Sequence, residues 1–300
     1  MASMTIQNFV RKGTISAQEL KTLMDKKPPN TIILDGTFVL PTSTENPAAN
    51  YSQKRIPGAR FFDIEKISDQ SSPLPHTVPS QEQFENGVSA LGINPEDFIV
   101  VYGQHGMTMG PCRVWWMFRL FGHDNIAVLD GGLPEWIKRG GDMETSSPPS
   151  TPSSIYKAPG FRPGLLADQH QVRERSEAGL GPILDARPKD RFSGTAPEPR
   201  AGMLSGHIPG SLCLPSSSFV TPEHGTLKSD PELRTLFLEN GVDLEQLKTR
   251  KAIASCGSGI TACVIALALF RLGFDKISVY DGSWAEWGQK NAGNKIACGP

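Results

Sequence analysis

The fold is decided by the stretch Lys251-Ala-Ile-Ala-Ser-Cys-Gly-Ser-Gly-Ile-Thr261, which runs directly into the apolar segment Ala262-Cys-Val-Ile-Ala-Leu-Ala-Leu-Phe270. The residues up to Ser255 predict a buried strand, and the apolar segment predicts a buried helix from about Thr261 to Leu272. The glycines between them permit a tight connection. A strand, a glycine-containing loop and a helix in this order indicate an α/β unit with parallel strands.

Further out along the chain, a set of landmarks occurs twice, at an offset of about half the chain length. Five landmarks in one order predict a tandem repeat of the α/β unit. The matched pairs are Thr14-Ile-Ser-Ala-Gln-Glu-Leu-Lys21 with Gly164-Leu-Leu-Ala-Asp-Gln-His-Gln171, Ile32-Ile-Leu-Asp35 with Pro182-Ile-Leu-Asp185, Arg55-Ile-Pro-Gly58 with His207-Ile-Pro-Gly210, Ile99-Val-Val-Tyr-Gly103 with Ala252-Ile-Ala-Ser255, and Leu129-Asp-Gly-Gly-Leu-Pro-Glu-Trp136 with Tyr280-Asp-Gly-Ser-Trp-Ala-Glu-Trp287.

The repeat predicts domains at residues 1–143 and 165–300, joined by a linker at 144–164. That linker is rich in Ser, Pro and Thr, a composition that predicts an extended segment with no core of its own. In both halves short β-branched runs alternate with helical stretches. The predicted strands are Thr31–Leu34, Phe98–Tyr102, Ala127–Leu129, Ile183–Leu184, Lys251–Ser255 and Ile277–Tyr280, with a helix at Val114–Phe121 in the first half.

Composition excludes several classes of protein. A net charge of −1, from 30 basic and 31 acidic residues, gives no broad field for a nucleic acid or an anionic membrane surface. No apolar run reaches the roughly 20 residues of a membrane helix. The five scattered cysteines lack metal-ligand spacing and predict reduced thiols with no metal. Met1–Lys12 lacks a secretory pattern, so we expect a cytoplasmic protein, with Arg11 and Lys12 leaving a mitochondrial alternative.

The loop after Ser255 is the candidate site, because ligands in parallel sheets bind beyond the carboxyl ends of the strands. If the loop backbone curls, its N–H groups point inward and, together with the N-terminus of the following helix, form a cup for an anion. A thiolate or persulfide on Cys256 would suit that cup, which makes the sulfur a nucleophile. The alternative is a buried structural cysteine. The matching first-half loop, Gln104–Gly110, has no cysteine.

Together these segments resemble the tandem rhodanese-domain sulfurtransferases over nearly the whole chain. The resemblance is carried by Cys256–Ala262, the two Ile-Pro-Gly segments, Arg113-Val-Trp-Trp-Met-Phe-Arg119 and Tyr280–Trp287. The loop N–H groups that we expect to bind substrate sulfur are those of Gly257, Gly259, Ile260 and Thr261. Thiosulfate-using members typically have Cys-Arg-Lys-Gly here. The neutral Gly257 and Ser258 resemble the mercaptopyruvate branch of the family.

The resemblance also implies a pair of substrate arginines nine residues apart, which Arg191 and Arg200 match. The planar guanidinium group can bond both oxygens of a carboxylate. Both lie in the turn-rich segment Asp185–Arg200, where we expect neither a helix nor a strand. The alternative is a pair of solvated loop charges.

A serine, histidine and carboxylate accompany the active cysteine in similar enzymes. Ser258 and His76 match the first two, and Glu65 stands where the mercaptopyruvate branch usually has aspartate, with Asp63 as a nearby alternative. Because His76 lies in the first half of the sequence, a contact with Ser258 would place the site between the halves.

The implied reaction is sulfur transfer from 3-mercaptopyruvate through a Cys256 persulfide to a thiol acceptor such as thioredoxin or a small dithiol, or to cyanide, with release of pyruvate and without a cofactor. A thiosulfate sulfurtransferase is the first alternative. A cysteine phosphatase needs an arginine six residues after the cysteine, where this chain has Ala262. A non-catalytic rhodanese-like interaction module is the third alternative.

Overall fold

The computed structural model describes residues 2–26, 30–148 and 150–299. The chain forms two compact units, each made of several segments of the sequence. The first unit consists of Met1–Gln70, Val78–Arg162 and Thr221–Leu227, and the second of Ser71–Thr77, Pro163–Val220 and Lys228–Pro300. Residues 144–162, expected in a linker, belong to the first unit. The short segments 71–77 and 221–227 each belong to the unit formed mainly by the other half of the sequence.

The first unit contains a five-stranded parallel sheet with the strand order β1-β5-β4-β2-β3. Its strands are β1 (Thr14–Ile15), β2 (Thr31–Asp35), β3 (Arg60–Phe61), β4 (Phe98–Tyr102) and β5 (Ile126–Leu129). Its helices are α1 (Ala2–Lys12), α2 (Ala17–Asp25), α3 (Pro47–Gln53), α4 (Gln81–Ala90), α5 (Pro111–Leu120) and α6 (Gly132–Lys138).

The second unit repeats this plan with the strand order β6-β10-β9-β7-β8, again all parallel. Its strands are β6 (Leu166–Ala167), β7 (Ile183–Asp185), β8 (Ser211–Cys213), β9 (Ile253–Ser255) and β10 (Ser278–Tyr280). Its α-helices are α7 (Gln169–Ala178), α8 (Lys189–Ser193), α9 (Asp230–Glu239), α10 (Ala262–Arg271) and α11 (Ser283–Trp287), and short 3-10 helices lie at Pro163–Leu165, Ser216–Phe219 and Gln246–Lys248.

The predicted α/β class with parallel sheets is confirmed. Each predicted strand is present, with ends that differ by one or two residues; the largest difference is at β9, which begins at Ile253 and not at Lys251. Lys251 is exposed, whereas the strand is buried, so the charged residue stays outside the sheet. Helix α10 is buried from Ala262 to Leu269, as its uniformly apolar sequence predicts.

The segment 150–162 has no helix or strand, but the expectation that it packs no core is wrong at Tyr156. That side chain is 1% exposed, and its ring lies against Phe84 and Phe118 of the first unit. The next residue, Lys157, forms a 2.7 Å ion pair with Glu85 and lowers the pKa of that carboxyl group to about 2. An aromatic residue and a lysine therefore fix a segment whose other residues are mostly turn formers.

Helix α1 is also an integral part of the first unit. Phe9 is 2% exposed, and its ring centroid lies 6.3 Å from that of Phe98 on β4.

Among the described residues there is no helix with both the length and the apolar character that crossing a membrane requires.

Candidate active site

Cys256 lies at the carboxyl end of β9, the central strand of the second sheet. The side chain is buried, with 2% of the residue exposed. The loop from Gly257 to Thr261 then leads into α10, which begins at Ala262. This is the strand–loop–helix arrangement that the sequence predicts. It places the sulfur at the carboxyl-terminal end of the parallel strands, where ligands bind in such sheets.

Residues at the start of α11 form hydrogen bonds to the backbone of the cysteine loop. The N–H groups of Cys256 and Gly259 donate to Oγ of Ser283 at 3.2 and 3.0 Å. The N–H of Trp284 donates to the carbonyl oxygen of Cys256, and that of Ala285 to the carbonyl oxygen of Gly257, both at 2.9 Å. Four hydrogen bonds therefore fix the backbone of the loop.

Other N–H groups of the loop make no hydrogen bond to the described part of the chain; they belong to Gly257, Ser258, Ile260 and Thr261. A buried N–H group without an acceptor is costly, so such a group is suited to an anion. The N–H of Gly259, predicted from the sequence to bind substrate, is donated to Ser283. Gly259 thus takes part in anchoring the loop.

Two arginine side chains approach the neutral part of the loop. A Cβ atom added to Gly257 would lie 3.2 Å from Nη2 of Arg191 and 3.8 Å from Nη1 of Arg200. Nη2 of Arg200 donates to Oγ of Ser258 at 3.4 Å. The expectation that both arginines lie outside helices is wrong for Arg191, which lies in the five-residue helix α8.

Glu198 holds Arg191 in place and was not identified from the sequence. Its Oε2 accepts from Nη2 of Arg191 at 2.5 Å, while its Oε1 accepts from Nη1 of Arg187 at 2.9 Å. Arg187 also pairs with Asp185 at 2.7 Å and lies 4.2 Å over the ring of Trp284. Burial disfavours the charge of Arg187, but Asp185 and Glu198 outweigh that effect and raise its pKa.

His76 meets Ser258 within the second unit. Nδ1 of His76 lies 2.9 Å from Oγ of Ser258, and the histidine is 4% exposed. Because the segment Ser71–Thr77 belongs to the second unit, the contact lies inside one unit. The two residues thus meet, but the expectation that their contact lies between two domains is wrong.

The two candidate carboxylates, Glu65 and Asp63, belong to the first unit. They contribute to the lining of a pocket of about 150 Å³ beside β2 and β3. Glu65 is exposed, and its carbonyl oxygen accepts from Nε2 of Gln70 at 2.6 Å. Asp63 accepts the N–H of Lys66 at 3.2 Å, a local turn contact. The role of Glu65 in a proton relay stays a prediction.

All five cysteines are free thiols. Cys112 and Cys263 are buried, and their sulfur atoms donate to the carbonyl oxygens of Met107 and Gly259. Among the residues that the structure describes, no three His, Cys, Asp or Glu side chains form a group that could bind a metal ion.

The fold and the site define a class of protein made of two parallel α/β units, one of which carries a cysteine loop at the centre of its sheet. The family model of the rhodanese-like domain matches residues 16–139 and 168–290, and the chain belongs to this family. Each match covers four of the five strands of one sheet and begins just after the first strand.

Known members of the family share most of their length with this chain. Thiosulfate/3-mercaptopyruvate sulfurtransferase 1, mitochondrial, of Arabidopsis thaliana is 41% identical over 87% of this chain and 72% of its own. Thiosulfate sulfurtransferase of Bos taurus is 42% identical over 87% of this chain and 86% of its own. Overall identity therefore does not separate the two sulfur donors.

A solved structure gives the same architecture. SseA from Escherichia coli, described as a 3-mercaptopyruvate sulfotransferase, superposes with a TM-score of 0.80 at 35% identity, covering 90% of this chain and 98% of its own.

Proposed function

We propose that this chain is a sulfurtransferase that takes sulfur from 3-mercaptopyruvate, holds it as a persulfide on Cys256 and passes it to a thiol acceptor, with release of pyruvate. The observation that carries this proposal is the approach of Arg191 and Arg200 to the neutral pair Gly257 and Ser258. The two guanidinium groups thus lie beside the nucleophile, where they can hold a carboxylate, while the side chains of the loop carry no charge.

The charge of the site favours mercaptopyruvate over thiosulfate. The guanidinium groups of Arg187, Arg191 and Arg200 together with the carboxylates of Asp185 and Glu198 have a formal charge of +1. That charge matches the single carboxylate of mercaptopyruvate, whose sulfur is a neutral thiol. Thiosulfate is a dianion and would be better served by further cations in the loop itself.

In the first step the Cys256 thiolate attacks the sulfur of 3-mercaptopyruvate. A bond forms between the two sulfur atoms, the bond from the donor sulfur to C3 breaks, and its electron pair leaves as the enolate of pyruvate, which takes up a proton at C3. Arg191 and Arg200 hold the carboxylate and the keto oxygen. The N–H groups of Gly257, Ser258, Ile260 and Thr261 stabilise negative charge on sulfur.

His76 and Ser258 form the candidate proton relay. Their 2.9 Å separation suits transfer between the imidazole ring and the hydroxyl group. Glu65 remains the proposed third member, with Asp63 as the alternative. Replacement of Glu65 by Gln distinguishes these two carboxylates. Loss of pyruvate formation would support Glu65 as the third member, and an unchanged rate would exclude it.

The second step returns the cysteine to its starting state. A thiolate of the acceptor, such as thioredoxin or a small dithiol, attacks the outer sulfur of the persulfide, and Cys256 leaves as a thiolate. Cyanide would react in the same way to give thiocyanate. We propose a cytoplasmic location, with the mitochondrion as the alternative because the Arabidopsis relative carries that designation. Cell fractionation distinguishes the two.

The decisive experiment is mass spectrometry of the protein after incubation with 3-mercaptopyruvate. The peptide containing Cys256 should gain the mass of one sulfur atom, and Cys256→Ser should form neither adduct nor pyruvate. Cys298→Ser, which changes an exposed thiol, is the matched control and should behave like the wild type. Pyruvate formation by Cys256→Ser would exclude the mechanism. Absence of sulfur transfer by the wild type would instead favour the non-catalytic module.

Comparison of kcat/KM for mercaptopyruvate and thiosulfate tests the donor. The value for mercaptopyruvate should be higher by at least about tenfold, because one carboxylate matches the site charge. A higher value for thiosulfate would assign the chain to the thiosulfate sulfurtransferases.

A further inference from the structure

Ser283 combines three hydrogen bonds with an unfavourable backbone. The residue is fully buried, and its φ angle of 48° lies in the left-handed region. Its hydroxyl donates to the carbonyl oxygen of Tyr280 at 2.7 Å and accepts the N–H groups of Cys256 and Gly259. A left-handed backbone is disfavoured for any residue with a Cβ atom, and it persists where the surroundings hold it in place.

Such backbones are concentrated at the cysteine loop. Among the described residues other than glycine, only Asn30, His76 and Ser283 have a positive φ. Asparagine adopts this conformation more readily than most residues. The other two both contact the loop, His76 through Ser258 and Ser283 through the N–H groups.

The first unit shows that the turn itself does not require serine. Its matching residue is Gly132, with a φ of 62°. The N–H of Leu133 donates to Gly103 at 2.9 Å, as that of Trp284 does to Cys256. A Cβ atom on Gly132 would lie 2.6 Å from the carbonyl oxygen of Gly103, too close for a side chain. Glycine thus occupies this position in the unit whose matching loop lacks a cysteine, and serine occupies it in the unit whose loop contains Cys256.

We propose that Ser283 is a positioning residue for Cys256. Its hydroxyl oxygen fixes the peptide groups at both ends of the turn from Cys256 to Gly259. With these two N–H groups held, the neighbouring N–H groups of the loop are presented to the sulfur. This inference rests on the proposed sulfur chemistry of Cys256.

The test uses Ser283→Gly in the full chain, because glycine suits the left-handed backbone and removes only the hydroxyl contacts. The alkylation rate of Cys256 by iodoacetamide is followed by mass spectrometry across a pH series. We expect the midpoint of its pH dependence to rise by about one unit and kcat for mercaptopyruvate to fall by about tenfold or more, since the loop loses two hydrogen bonds. KM should change by less than about threefold, because the arginines are untouched, and Tm should stay the same or rise.

Two further variants complete the test. Ser283→Ala removes the hydroxyl and keeps the backbone strain, so it should show the same alkylation shift with a lower Tm, and it replaces the glycine variant if that protein does not fold. Ser217→Gly, in an exposed position of the second unit, is the matched control and should leave the alkylation midpoint unchanged.

An unchanged alkylation midpoint in folded Ser283→Gly would overturn the proposal, whether or not activity falls, because the serine would then be only structural. A shifted midpoint supports it. If the wild type itself forms no pyruvate from mercaptopyruvate, the proposed substrate fails, while the alkylation comparison still decides the role of Ser283.

Discussion

At the scale of single residues, Glu198 determines how much positive charge the site presents. Its carboxylate is shared between Arg187 and Arg191, and its side chain is only 4% exposed. A buried carboxylate between two guanidinium groups both orients them and neutralises one of their charges. We therefore expect the choice between a singly and a doubly charged donor to depend on Glu198, a residue that need not touch the donor.

We expect Glu198→Gln to shift donor preference towards thiosulfate. The substitution keeps an acceptor for one arginine hydrogen bond but raises the formal charge of the site by one unit. The ratio of kcat/KM for thiosulfate to that for mercaptopyruvate should rise by about tenfold, the effect of one added charge at a partly screened distance. Steady-state kinetics with both donors measures this ratio, which is independent of the amount of folded enzyme. Glu239→Gln, an exposed change, is the control, and an unaltered ratio in Glu198→Gln would contradict the argument.

The sequence could predict Cys256 from its glycine loop, whereas Arg191 and Arg200 were implied by the family resemblance. Glu198 and Ser283 have neither indication. Glu198 binds arginines seven and eleven residues away, and Ser283 binds the loop from 24 and 27 residues away, so these contacts depend on how α8 and α11 meet the loop. The contact of His76 with Ser258 was expected from the family resemblance, whereas its location inside one unit was not.

At the scale of elements, the segment from Thr151 to Arg162 shows that a chain without regular structure can contribute to a core. The hydroxyl group of Tyr156 lies 3.2 Å from Nδ1 of His123, and its ring completes an aromatic cluster with Phe84. Burial lowers the pKa of His123, which favours the neutral ring that this apolar cluster requires.

Replacement of Tyr156 tests the contribution of this segment to the stability of the first unit. Tyr156→Ala should lower the free energy of unfolding by about 3–5 kcal/mol, as for other large aromatic residues removed from a core. The adjacent Ile155 is 84% exposed, so Ile155→Ala should change stability by less than about 0.5 kcal/mol. Calorimetry of the full chain measures both. If Tyr156→Ala lowered the free energy of unfolding no more than Ile155→Ala does, the segment would not be part of the core.

The inner strands and α10 followed from local pattern, whereas the four short edge strands β1, β3, β6 and β8, the helix α8 and the assignment of segments to units did not. Strand β4 is a run of β-branched and aromatic residues, and α10 is apolar from Ala262 to Phe270, so both are visible in the sequence. The short segment 221–227 belongs to the first unit through contacts such as Leu227 N–H to Asp130, at 2.6 Å. A contact between residues 97 positions apart leaves no local pattern.

At the scale of the whole molecule, the chain contains two copies of one architecture, and three matched positions around the cysteine loop distinguish them. In the strand pairing Asp35 stands opposite Tyr102 as Asp185 stands opposite Ser255, so Gly103 occupies the place of Cys256. Thr37 stands where the second unit has Arg187, and it donates to Asp35 at 2.5 Å. Gly132 replaces Ser283. The first unit thus lacks the nucleophile, the buried cation and the hydroxyl that anchors the loop.

All three positions adjoin the loop that follows β4, so we expect that a cysteine alone would not create a site in the first unit. A Cβ atom on Gly103 would lie 2.4 Å from the carbonyl oxygen of Gly106 and 2.9 Å from Cγ of Pro111. Without a cation in the place of Arg187, burial raises the pKa of Asp35 and favours its neutral form. Gly103→Cys in a Cys256→Ser background should therefore form no pyruvate from mercaptopyruvate.

The same double variant should have a lower Tm than Cys256→Ser alone, because the loop must shift to accept the new side chain. Mass spectrometry and a pyruvate assay compare the two proteins, with the wild type gaining one persulfide sulfur per chain. Sulfur on the introduced thiol together with pyruvate release would show that the first unit retains a working anion cup. In that case the missing cysteine alone, and not a difference in its surroundings, would account for the functional difference between the two copies.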